Sequence, residues 1–103
     1  MKKNIVIISL IILGACAAAS KFQPSASEVP QMQAKVPGIN YEQAQQGYSI
    51  YILHCGNCHR VHNPTEHTQE EWDNILVKMF VKAKMKDANE KLLLQNYLHA
   101  KSK

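Results

Sequence analysis

The chain has 103 residues, 46% of them hydrophobic, with 12 basic and 8 acidic side chains and three cysteines. That length provides for one domain, and a core so small is marginal by burial alone, so a staple or cofactor is expected to complete it. The formal charge of +4 gives no reason to expect a nucleic-acid partner, and no nucleophile and base pair or paired carboxylates point to catalysis.

Met1-Lys2-Lys3-Asn4 is a short positive segment, and Ile5 to Leu13 is an apolar run broken only by Ser9. Roughly 20 apolar residues are needed to span a bilayer as a helix, and this run falls short even when extended through Ala19, so it reads as a signal peptide. Leu13-Gly14-Ala15-Cys16 resembles the bacterial lipoprotein cleavage box. The resemblance implies a signal peptide over residues 1–15, acyl chains on Cys16, and anchoring in a membrane leaflet of the cell envelope, facing the periplasm or exterior. An ordinary secretory peptide cut near Ala17 to Ser20 would instead discard Cys16. Loss of Lys2 and Lys3 leaves 10 basic residues against 8 acidic, a net +2 for the mature chain.

From Ala17 to about Ile39 the composition is Ser, Ala, Gln and Lys with Pro24, Pro30 and Pro37 and no sustained period. Residues 16–39 are therefore expected to be a lipidated cysteine on a flexible tether, and residues 40–103 the folded domain. Asn40 is the expected N-cap of a first helix from Tyr41 to His54, with Gln43 closing a capping box. Ala44, Tyr48, Tyr51 and Ile52 recur at helical spacing. Gly47, inside this helix at a cost of roughly 1 kcal/mol against alanine, marks a close approach by another element.

Val61 to Glu66, containing Asn63-Pro64, reads as a loop. Thr65 or Thr68 can cap a second helix, Thr68-Gln69-Glu70-Glu71 having capping-box form, and this helix should run to about Ala83 with Trp72, Leu76, Met79 and Ala83 on one face. Glu70, Glu71 and Asp73 sit in its first turn, where acids favour the helix dipole. Asp87-Ala88-Asn89-Glu90 opens a third helix through about Ala100, whose apolar side is Leu93, Leu94, Tyr97 and Leu98. With no strand-like alternation, the expected fold is all-α, about three helices.

Cys55-Gly56-Asn57-Cys58-His59 is a Cys-x-x-Cys-His motif, whose spacing lets two thioether bonds fix one haem while the next residue presents its imidazole to iron. Gly56 and Asn57 suit the tight connection between the two sulfurs. A thioredoxin-like reading would need a preceding strand. A zinc reading would need further ligands at set spacing, for which His62 or His67 could serve but no second cysteine pair exists. With haem on Cys55 and Cys58 and lipid on Cys16, no thiol is left over.

Residues 40–100 resemble the small monohaem cytochrome c family. The resemblance implies a helical domain around one covalent haem c, with Gly47 and Tyr51 of the first helix packed against Tyr97 of the last. It further implies that His59 is the proximal iron ligand and that a distal methionine is the sixth. Met79 is the favoured candidate, about two turns ahead of the Asp87 cap and on the face of Trp72 and Leu76, with Met85 read as a core residue plugging the turn. If Met79 is packing only, His62 or His67 could complete a bis-histidine site. Pro64 is a candidate to lend its carbonyl to the proximal imidazole, while His54 and an exposed His99 read as ordinary packing or surface residues.

Lys78, Lys82, Lys84 and Lys86 surround Met79, either as a solvated helix face or as a ring that steers an acidic redox protein. The expected function is one-electron transfer between a donor and an acceptor protein, without enzymatic activity. Its rivals are a haem-based ligand sensor and a haem-bearing subunit of a larger oxidoreductase.

Overall fold

The computed structural model describes residues 22–55 and 62–103. Among these, all regular structure is helical: α1 (Val29–Lys35), α2 (Tyr41–Cys55), α3 (Gln69–Lys82) and α4 (Ala88–Lys101), with short 3-10 turns at Ala26–Glu28 and Pro64–Glu66. The all-α expectation holds, with one helix more than expected.

The helix starts follow from short polar side chains that take up orphan backbone N–H groups. Asn40 Oδ1 accepts from the Gln43 N–H at 2.7 Å while Gln43 Oε1 accepts from the Asn40 N–H at 3.2 Å, the reciprocal box that opens α2. Thr68 and Glu71 do the same for α3, at 3.2 and 3.0 Å. Asp87 accepts from the N–H groups of both Asn89 and Glu90 at the head of α4.

The end of α3 is a Schellman turn. The Met85 N–H reaches the Phe80 carbonyl at 2.9 Å and the Lys84 N–H reaches that of Val81 at 3.1 Å, with Lys84 in the left-handed region at φ 56°. Glycine is the usual residue there. The motif brings its own apolar contact, and Met85 turns inward to 5% exposure.

The core forms where α2 crosses α4. A Cβ on Gly47 would stand 2.4 Å from both the Leu93 carbonyl oxygen and Tyr97 Cβ, so only glycine lets the two backbones come this close. Tyr51, Leu94, Tyr97 and Leu98 are buried there, and Trp72 and Leu76 of α3 together with Met85 complete the cluster. The Tyr51 ring lies 6.0 Å from Tyr97 and 6.1 Å from Trp72, spacings at which edge and tilted ring contacts are favourable.

Residues 22–39 correct the tether expectation. Met32 and Ile39 pack with Ala44 of α2 and Ala100 of α4 in a second buried cluster. The Phe22 carbonyl accepts from the Tyr97 hydroxyl at 2.6 Å, and the Glu28 carboxylate pairs with the Lys101 ammonium. Within the described residues the fold therefore begins at Phe22 and not at Asn40. The reason is a short apolar set, Val29, Met32, Val36 and Ile39, that the seven-residue helix α1 and the turn after it bring to a single side.

Candidate functional site

The Cys-x-x-Cys-His motif starts on the last residue of α2, Cys55. Cys58 and His59 lie outside the described residues, as do Cys16 and the whole of the expected signal peptide. What surrounds the motif is described on both sides.

Three helix ends meet there. His54 Nε2 of α2 lies 3.9 Å from Glu90 Oε2 in the first turn of α4. The Lys91 ammonium, in the same turn, sits 5.4 Å over the Phe80 ring in the last turn of α3, a cation–π spacing. The chain returning from the motif is gripped at once: the Tyr51 hydroxyl donates to the His62 carbonyl at 2.7 Å, and the Trp72 indole N–H donates to the Pro64 carbonyl at 2.8 Å. Asn63 Oδ1 takes both the N–H and the hydroxyl of Thr65, holding the turn that follows. The described chain just after the motif, His62 to Pro64, is thus tied to Tyr51 and Trp72 of the aromatic core.

The Pro64 carbonyl, the candidate partner for the proximal imidazole, accepts from Trp72 and has a second lone pair for another donor. A buried indole N–H without an acceptor would lose its hydration uncompensated, and Pro64, buried beside Trp72, supplies that acceptor.

The two candidate methionines differ sharply. Met85 is a core residue, as expected from its position in the turn. Met79 lies in the last turn of α3, beside Phe80, at the same end of the bundle as Cys55. It was expected to share the buried face of Trp72 and Leu76, but it is only half-buried. Helical spacing puts it on their side, yet it is not among the side chains that form or pack against the cluster of Trp72 and Leu76.

The histidines divide by position. His62 is exposed, with Nδ1 3.2 Å from Glu66 Oε2. The His67 ring stands edge-on to Trp72 at 4.9 Å, and its carbonyl accepts from the Lys103 N–H at 3.1 Å. That places His67 at the C-terminal end of α4, about 20 Å of helix from the Glu90 end where Cys55 emerges. His99 was expected to be exposed; instead it is half-buried, with Nε2 2.6 Å from Asp73 Oδ1, which also accepts from the Gln95 amide at 3.2 Å. The two sets of hydrogen bonds latch α4 to α3, and no spacing rule within one helix could have shown them.

Lys78, Lys82, Lys84 and Lys86 are all exposed. Between them on α3 stand Val77 and Val81, 68% and 76% exposed. At the opposite end of α3 the Thr68 N–H and hydroxyl hold the Glu71 carboxyl below the usual carboxylate range, as expected of an acid in a capping box. The Tyr97 hydroxyl is pushed well above its ordinary value, by burial first and then by Tyr51, Tyr48 and Glu28, so it stays protonated and able to donate to Phe22.

Among the described residues no group of three or more His, Cys, Asp or Glu side chains is placed to hold a metal ion, and no helix is long and apolar enough to cross a membrane. Comparison of the chain with protein-family models, curated proteins and solved structures finds no match.

Proposed function

We propose that the chain is a monohaem c-type cytochrome that carries single electrons between redox proteins in the bacterial cell envelope, anchored there by lipid on Cys16. The observation that carries this reading is the Cys-x-x-Cys-His motif starting on the last residue of α2, at the end of the bundle where α3 presents Met79 and α4 begins. The donor set suits a haem: two thiols at attachment spacing, an imidazole next to them, and a thioether that the core does not enclose. Ile52, Phe80 and Ala83, only partly buried against the core, are apolar surface of the kind a porphyrin covers.

When bound, the haem supplies an iron that alternates between two oxidation states. The chain's own residues hold and frame it. Cys55 and Cys58 attach it, and His59 and Met79 are the proposed iron ligands. Tyr51 and Trp72, by gripping the carbonyls of His62 and Pro64, limit how far the attachment loop can shift as charge changes. Lys78, Lys82, Lys84 and Lys86 attract an acidic donor or acceptor, an effect that salt screens.

The test is an absorption spectrum of the mature protein, made with haem-attachment machinery and recorded oxidised and then reduced with dithionite. Sharp reduced α and β bands that survive acid-acetone extraction, with a red charge-transfer band in the oxidised form, support a covalent low-spin haem with methionine ligation. Loss of all haem on extraction sinks the reading and returns Cys55 and Cys58 to thiol-redox or zinc chemistry. Rapid carbon monoxide binding by the reduced protein would instead point to a ligand sensor with an open sixth position.

A further inference from the structure

As a free tether, residues 16–39 would let the domain wander up to about 80 Å from its lipid when extended. The fold takes up most of that length. Phe22 is 8% exposed and its carbonyl is held by Tyr97. Gln23 Nε2 donates to Gln45 Oε1 of α2 at 3.3 Å, Glu28 is paired with Lys101 at the end of α4, and Met32 and Ile39 are 1% and 2% exposed. Between Phe22 and Ile39 the segment is fastened to α2 and α4 at these points. Only residues 17–21 separate Cys16 from the first fastened residue, and six Cα steps reach at most about 20 Å. That is no longer than α2 itself, whose 15 residues rise about 22 Å.

We propose that residues 22–39 act as a clamp that seats the helical domain directly on the membrane surface, with the α2 surface around Gln45, Gln46, Ser49 and Leu53 against the lipid headgroups. The inference rests on Cys16 being lipidated, as in the function proposed above. The leash leaves the fold beside Gln45, to which Gln23 is bonded. On the α2 surface next to that exit, Gln46 and Ser49 are exposed and Leu53 is 63% exposed. Glu42 is the acid on the same stripe, whereas α3 exposes Glu70, Glu71, Asp73, Lys78 and Lys82. A neutral amide and hydroxyl surface loses little hydration on meeting headgroups, and an exposed leucine gains by it. Charged α3 keeps its hydration by facing away. A domain held this close exchanges electrons with a partner that is itself held in the same membrane.

The experiment uses the full lipidated, haem-loaded protein on a supported bilayer of phosphatidylethanolamine and phosphatidylglycerol, read by neutron reflectometry after intact mass has established the acyl chains. The expected profile has protein density beginning at the headgroups, with no water layer wider than the leash. Inserting 20 Gly and Ser residues after Ala19 should lift the layer by about 25 Å. A wide water layer under the unaltered acylated protein, or a layer that the insertion leaves unmoved, overturns the clamp and leaves the lipoprotein reading standing. A product without acyl chains overturns both. Orientation is read from nitroxides on Ser49→Cys and Asn74→Cys: an aqueous nickel chelate should relax the Asn74 label faster, and the reverse order overturns the α2 assignment.

Discussion

Where α2 crosses α4, backbone meets backbone: Gly47 leaves no room for a methyl group, and Leu94, Tyr97 and Leu98 are fully buried. The last turns of α3 are the opposite. There Met79 is half-buried, Val77 and Val81 are largely exposed, and lysines alternate with them. Both regions are helix in the same small bundle, so the contrast is one of assignment. The crossing is scaffold, tight because nothing else is to enter it, and the end of α3 is left incomplete by the protein alone. That is the division the proposed function requires, in which a haem or redox partner covers the end of α3.

The contrast is broken most severely at Gly47. In Gly47→Ala the new methyl meets a main-chain carbonyl and another Cβ, neither of which is the free end of a side chain. The helices must part, at a cost of about 3 kcal/mol. That outweighs the roughly 1 kcal/mol that alanine gains as a helix former. Urea unfolding of the haem-loaded protein measures the difference. A midpoint unchanged or raised would mean that α2 and α4 are not in register at this crossing.

The two methionines sharpen it next. Met85→Ala empties a site that is 5% exposed and should cost about 2 to 3 kcal/mol, the lower part of the range for buried methionine because the turn above it can settle. Met79→Ala removes a half-buried side chain outside the packed cluster, and its packing loss should stay within about 1 kcal/mol. Its spectroscopic effect is the reverse: the red charge-transfer band vanishes in Met79→Ala and persists in Met85→Ala. A band lost only in Met85→Ala would move the ligand to the core methionine and remove the meaning attached to the open end of α3.

How these regions stood in the sequence follows from what short-range pattern can encode. The three capping residues Asn40, Thr68 and Asp87 and the close approach at Gly47 were legible because each is a local rule: a cap satisfies the next few N–H groups, and a glycine inside a helix needs a reason. The tether over 16–39 was misread from Phe22 onward because its prolines were counted as disorder. Pro24 precedes the first turn, Pro30 lies at the head of α1 where a missing N–H costs nothing, and Pro37 follows the end of α1, so all three punctuate a short helix. The apolar spacing of Val29, Met32, Val36 and Ile39 was the signal to weigh. Met79 shows the complementary limit. Periodicity says which side of a helix faces the core but not how far along the helix its neighbour continues to cover it. The bond from Trp72 to Pro64 and that from His99 to Asp73 join different elements, and such pairings appear only once the elements are placed.

Trp72 joins the core to the chain that follows the Cys-x-x-Cys-His motif, since its ring belongs to the core and its N–H holds the Pro64 carbonyl. Trp72→Phe keeps most of the apolar bulk and leaves the Pro64 carbonyl without its donor. The expected loss is about 1 to 2 kcal/mol. Hydrogen exchange should quicken at Thr65 and Glu66 before it quickens at Leu94 or Tyr97. Equal acceleration at all four positions would mean that the bond supports the whole core and not the loop's anchor.

The smallest effect concerns the N-terminal segment and is read from pH. Burial raises the Glu28 carboxyl, but the hydrogen bonds from Lys101 and Ser25 outweigh it, and the net position is below the ordinary value of 4.5. An acid held lower in the folded than in the unfolded state binds fewer protons when folded. Its contribution is therefore complete above the unfolded value near 4.5 and is lost as the pH falls through the folded one. The pair is partly open to solvent, with Glu28 31% and Lys101 15% exposed at the side chain, so Glu28→Gln should cost under about 1 kcal/mol at neutral pH. That cost should shrink toward zero in acid, where the native carboxyl is itself protonated. Urea midpoints of the two proteins at pH 7 and well below 4.5 test the sign. Converging midpoints tie Glu28 to Lys101 as an ion pair that fastens residues 22–39 to α4. A constant difference would mean that shape and hydrogen bonding, which glutamine nearly reproduces, govern the site and that charge does not.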